Sequence, residues 1–147
     1  MRKAIIILIA FIGIVAKAQT DPRVLPYVAS YIVEAQSRGI SIDTTGQVMI
    51  LISDATAKRV FRDYRADWIA RGTTNCKLFV FNINKWTTFS DTKKEMAVYH
   101  EMMHYFGRLT DGSCALMLPE SNPLISESNY IQNKQAILDE AFGLINH

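Results

Sequence analysis

The stretch His100-Glu101-Met102-Met103-His104, with Gly107 three residues further on, decides how this chain is read. On a helix, side chains four apart share one face, so both imidazoles can reach a single metal ion. Glu101 follows the first imidazole directly, which puts a carboxylate within reach of a water on that metal. Two nitrogen ligands and a base in H-E-x-x-H spacing are the parts that metal-assisted hydrolysis of an amide requires.

The residues around the motif support a helix. Ser90, Asp91 and Thr92 are all N-cap types, and Thr92 with Glu95 has the spacing of a capping box. The helix runs through Met96, Val98, Tyr99, Met103 and Phe106, and Gly107 is the expected terminator. Upstream, Lys77–Ile83 (KLFVFNI) is rich in aromatic and β-branched residues and reads as a strand. Val48–Ile52 reads as a buried strand, and Val24–Ser37 has helical periodicity with Gly39 as its stop. Residues 55–75 fit either a helix or a loop-rich segment. A last amphipathic helix places Tyr130, Ile131, Ile137, Leu138, Ala141, Phe142 and Ile145 on its apolar side. This order of elements is that of an α+β domain.

A catalytic zinc site takes three protein ligands and keeps one position open. His100 and His104 supply two. A chain that turns back at Gly107 can bring a residue just beyond it to the metal, as in H-E-x-x-H-x-x-G-x-x-H. Thr110 occupies the position of the third His there and is a poor zinc ligand. Asp111, one residue later, carries a good oxygen ligand and is the favoured third ligand, with the turn lengthened by one residue. The alternatives are a distant Glu120, Glu127 or Glu140, or no third protein ligand. His147 ends the chain and reads as a solvated terminus.

Gly107 followed by Ala115-Leu116-Met117-Leu118-Pro119 resembles the metzincin clan of zinc metalloproteases, and the Ala-Leu-Met-x-Pro string is similar to the Met-turn of its matrixin branch. The resemblance covers roughly residues 77–145, is specific over 100–119, and is closest to small secreted bacterial metalloproteases. It implies a small zincin-type domain: a short mixed sheet, an active-site helix and a C-terminal helix. It also implies Zn2+ as cofactor, Glu101 as general base, Met117 beneath the metal, and a peptide or protein substrate lying along the Lys77–Ile83 strand as sheet edge. Tyr105, Phe106 and Leu116 would seat the metal helix, with Tyr99 and Tyr105 as core packing rather than oxyanion donors. The sequence departs from the clan in having Asp in place of the third His, and Met103 where many members have Gly. An alternative is therefore a relative that binds metal without activity and serves as a binding or inhibitory module.

Residues 1–18 read as a signal peptide, leaving 19–147 as the catalytic-type domain. Arg2 and Lys3 form a basic start, Ile5–Val15 an apolar run too short to span a bilayer comfortably, and Ala16-Lys17-Ala18 a small-x-small cleavage site. The expected location is secreted or periplasmic, with no membrane span in the mature chain. The full chain has 16 basic and 14 acidic residues. Arg2, Lys3 and Lys17 leave with the signal, so the mature domain has 13 basic residues against 14 acidic ones. A net charge of −1 gives no reason to expect nucleic acid as a partner. Export permits a disulfide between Cys76 and Cys114, and the sequence does not decide whether it forms.

Overall fold

The computed structural model describes residues 20–61, 69–73, 78–117 and 126–146. The expected signal peptide, Cys76, Lys77, Leu118 to Glu120 and His147 lie outside the described residues.

The central strand explains the sheet. Strand β3 (Leu78–Asn82) lies between β1 (Val48–Ile52), its parallel neighbour, and β2 (Ala70–Thr73), its antiparallel one. Every residue of β3 is buried, which accounts for its nearly continuous apolar sequence. Phe79 and Phe81 face the helical layer, where Phe79 meets Tyr105 edge-on at 5.5 Å and Phe81 meets Trp86 at 5.3 Å. Val80 points the other way, toward Ala57 and Phe61. The central place of β3 corrects one expectation: the Lys77–Ile83 strand is not the sheet edge. Pairing on both sides consumes its backbone groups, and among the described residues the edges fall to β1 and β2. The expected burial of β1 is corrected too. Only Met49 is fully covered, as befits an outer strand.

Helix α1 (Leu25–Ser37) precedes β1, and α2 (Asp54–Val60) fills the first part of the ambiguous 55–75 segment. The Ser53 hydroxyl caps α2 by accepting from Thr56 N at 3.2 Å. At the end of β3, the Asn82 side chain accepts from Asn84 N at 3.0 Å and starts the short helix α3 (Ile83–Trp86), so Ile83 is helical and not part of the strand. Helix α4 (Asp91–Met102) follows. Its N-cap is Ser90, whose hydroxyl accepts from Lys93 N at 3.1 Å. The expected Thr92–Glu95 capping box is therefore not formed. With Ser90 as cap, Glu95 lies beyond the first turn and accepts instead from Tyr130 Oη at 2.7 Å, with Lys134 Nζ also at 2.7 Å.

Helix α5 (Glu127–Gly143) closes the fold, with a non-helical Asn133 inside it. Tyr130, Ile137, Leu138, Ala141 and Phe142 are buried as expected, whereas Ile131 is exposed: it is the next residue round the helix from the buried Tyr130 and lies outside the apolar face. Ile145 packs from the short 3-10 turn Leu144–Asn146. The core joins α1, α4 and α5 around Tyr31, which meets Tyr99 and Phe142 at 5.2 Å each. Each such fully buried side chain contributes about 1.5–3 kcal/mol of transfer free energy. No helix among the described residues is long and apolar enough to cross a membrane.

Candidate metal centre

Helix α4 is clamped before it reaches the site. Its buried face holds Met96, Val98, Tyr99, Met102 and the following Met103 against the core. Tyr99 makes a hydrogen bond of 2.8 Å with Ser30, and Tyr31 Oη donates to Met103 Sδ at 3.5 Å. Tyr99 is thus a core residue, as expected. Fixing the helix on one side fixes the direction of the side chains on the other, where His100 and His104 stand one turn apart.

Both imidazoles are oriented by backbone carbonyls. His100 Nδ1 lies 3.1 Å from Leu116 O, and His104 Nδ1 lies 2.7 Å from Leu109 O. A carbonyl only accepts, so each Nδ1 carries the proton and each Nε2 presents a lone pair. Burial pushes the His100 imidazole below its ordinary pKa. The Leu116 carbonyl and Asp111 oppose this shift, and His104 adds to it. The two Nε2 atoms converge to 3.1 Å.

Asp111 completes the group. Its Oδ1 is 3.4 Å from His100 Nε2 and 3.2 Å from His104 Nε2. Two lone-pair nitrogens and a carboxylate oxygen repel one another when they converge, and a cation at their centre reverses the sign. Ligand atoms on a tetrahedron with bonds of about 2.0–2.1 Å are about 3.3–3.4 Å apart, close to the three observed separations. His100, His104 and Asp111 therefore form a group that could hold a metal ion without rearrangement.

The other third-ligand expectations separate clearly. Thr110 is engaged elsewhere: its N donates to Ser113 Oγ at 3.0 Å, and its hydroxyl meets the same oxygen at 3.0 Å. Glu127 receives the Ser90 hydroxyl, and Glu140 Oε2 lies 3.5 Å from Ala115 N, so neither joins the group. Glu120 and His147 are outside the described residues.

The turn bearing Asp111 has its own logic. Ser113 N bonds Thr110 O at 3.1 Å, making Asp111 and Gly112 the central residues of a β-turn. Gly112 has φ +84°, as position i+2 of a type II turn requires. The Ser113 hydroxyl donates back to Thr110 O at 2.6 Å, and Gly112 N ties the turn to Met117 O at 2.8 Å. Met117 is fully buried in the 3-10 turn Ala115–Met117, whose Leu116 carbonyl holds His100.

Gly107 does not terminate the helix by a left-handed conformation. The chain leaves α4 through a π-helical turn, Met103–Gly107, and the left-handed residue is Arg108, with φ 52°. Gly107 is needed for space: a Cβ there would lie 3.0 Å from Ile145 Cγ1 and 3.2 Å from Leu109 Cγ. A π turn uses one more residue than an α turn. The reversal accordingly presents the residue eleven after His100, Asp111, where a shorter turn would have presented Thr110.

The group lies in an open cleft of about 1070 Å³. Glu101, buried at its base, lines it beside His100, and Tyr105, Phe106 and Leu109 form an apolar wall. Leu116 instead packs in the core. Ala70 and Arg71 of edge strand β2 line the opposite side, with Asp43 and Arg108 at the margin. Asp43, Ala70, Arg71, Phe79 and Arg108 carry no motif that would have marked them in the sequence. The carbonyls of Leu109 and Leu116 could not have been marked either, since a backbone group leaves no residue signature. Cys114 is a buried free thiol. No protein family, curated protein or solved structure matches the chain.

Proposed function

We propose that the chain is a secreted, zinc-dependent metalloendopeptidase of metzincin type, acting on peptide or protein substrates. The observation that carries this reading is the convergence of His100 Nε2, His104 Nε2 and Asp111 Oδ1 to separations of 3.1–3.4 Å beside the buried Glu101. Zinc bound there would acidify a water and polarise a carbonyl.

The chain's own residues do the rest. The Leu116 and Leu109 carbonyls hold the imidazoles in the tautomer that leaves Nε2 free to bind metal. Glu101 takes the proton of the attacking water and delivers it to the leaving amine. Its burial keeps that carboxylate away from bulk water. An extended substrate pairs with β2, since Ala70 and Arg71 bring that edge strand to the cleft.

The test is hydrolysis of a peptide library by the zinc-loaded chain and by Glu101→Ala. Loss of cleavage with full retention of zinc supports the protease. Identical behaviour of the two proteins on every peptide favours a relative that binds metal without activity. A chain that takes up no zinc contradicts both readings.

A further inference from the structure

We infer that Arg108 is a specificity-determining residue that selects peptides bearing a carboxylate near the scissile bond; this rests on the metalloprotease reading of the same cleft. The charged side chains lining the cleft, besides the two histidines, are Asp43, Arg71, Glu101, Arg108 and Asp111. Most are already engaged. Asp111 meets both imidazoles, and Arg71 lies over the Phe61 ring at 5.5 Å. Asp43, Arg71 and Glu101 each have further interactions. The Arg108 side chain makes no hydrogen bond and no ion pair among the described residues, and the residue is exposed where it lines the cleft, with five N–H donors to offer a ligand.

The backbone at Arg108 is a second, independent observation. Its φ of 52° is left-handed, in a position at the end of a helix that glycine fills best. Gly107 is adjacent in sequence but does not take the left-handed conformation; it sits where a Cβ would crowd Ile145 and Leu109. The left-handed residue is therefore one with a long cationic side chain, four residues beyond His104 and three before Asp111. The residue in that conformation lines the cleft.

The charge balance gives the chemistry of the ligand. Among the described residues lining the cleft, two arginines and a bound divalent cation would face three carboxylates, a balance of one positive charge. A guanidinium pairs best with a planar carboxylate, through two parallel hydrogen bonds. That carboxylate has two sources, an Asp or Glu side chain within the peptide or the peptide's own C-terminus.

The test is peptide binding, which does not depend on turnover. The probe set is acetylated hexapeptides with a single Glu or a single Gln moved through the sequence, each with a free or an amidated C-terminus. Affinities are measured on the zinc-loaded Glu101→Ala chain with Arg108 and with Arg108→Gly. Glycine accepts the left-handed backbone, so this variant folds. The expectation is a preference of about tenfold for Glu over Gln at one position, falling toward onefold in Arg108→Gly and weakening with salt. If the free C-terminus produces the preference instead, the carboxylate is terminal. Equal affinity for Glu and Gln peptides, or an equal preference in both proteins, overturns the inference and leaves the protease reading intact. A preference that disappears when zinc is chelated yet survives Arg108→Gly belongs to the metal, and also overturns it. A chain that binds no zinc overturns the reading beneath it.

Discussion

Asp111 is the most exposed member of the site, with 72% of its side chain accessible, against 24% and 29% for His100 and His104. Packing does not hold it in place, so the turn must. The Ser113 hydroxyl bonds Thr110 N and Thr110 O at once, which fixes the loop on both sides of Asp111. Removing an outer partner of a metal ligand costs about 10–100-fold in affinity, and removing the ligand itself costs more. Asp111→Ala should accordingly weaken zinc binding by more than about a hundredfold in chelator competition, and Ser113→Ala, which loosens the turn through Thr110 and touches no ligand directly, by less. In an Asp111→Ala background, Ser113→Ala should have no further effect, because the hydroxyl acts through Asp111. Additive losses in the double variant would show that the turn serves the fold instead.

At the scale of elements, the π turn between Met103 and Gly107 links helix geometry to ligand choice. It explains why Asp111 and not Thr110 meets the two imidazoles. Gly107→Ala introduces contacts of 3.0–3.2 Å with Ile145 and Leu109, and Leu109 carries the carbonyl that orients His104. The variant should lose about 1 kcal/mol in urea unfolding, the low end of overpacking. It should also bind zinc more weakly, and an unchanged zinc affinity would separate Gly107 from the site. The site helix was legible in the sequence because its signal is a spacing, His100 to His104, which the helix repeat converts directly into one face. That Asp111 would lie with the two histidines was legible only with the added assumption of a lengthened turn, since nothing in Met103–Gly107 announces π geometry. The place of β3 in the sheet was not legible. Strand order depends on long-range pairing, and the apolar run of residues 78–82 marks burial on both faces without naming the neighbours. The Thr92–Glu95 spacing misled because Ser90 competes for the same cap and wins.

At the scale of the molecule, α1, α4 and α5 are held together around tyrosines. Burial raises the pKa of Tyr31, Tyr99 and Tyr130, with Glu95 adding to the effect on Tyr130. Partial burial and the bond to Asp91 push Tyr27 from 10.0 up to about 12. These groups have a folded-state pKa above the unfolded one. The stability they contribute is whole below pH 10 and is lost as the pH rises above it, for Tyr27 through about 12 and for the more deeply buried three at higher pH still. In a chain carrying Tyr64→Phe and Tyr105→Phe, phenolate absorbance and far-ultraviolet dichroism should therefore change together in an alkaline titration; phenolate appearing well before unfolding would contradict a core closed around these rings. A core of this kind gives the metal group a rigid floor, and the central claim concerns what that floor supports. The most direct measurement is X-ray absorption at the zinc edge of the loaded mature chain. The account predicts two imidazole nitrogens at about 2.0–2.1 Å and oxygen ligation at about 2.0–2.2 Å, with one oxygen lost in Asp111→Ala. A sulfur shell at about 2.3 Å, a single imidazole, or a spectrum unchanged by Asp111→Ala would contradict it.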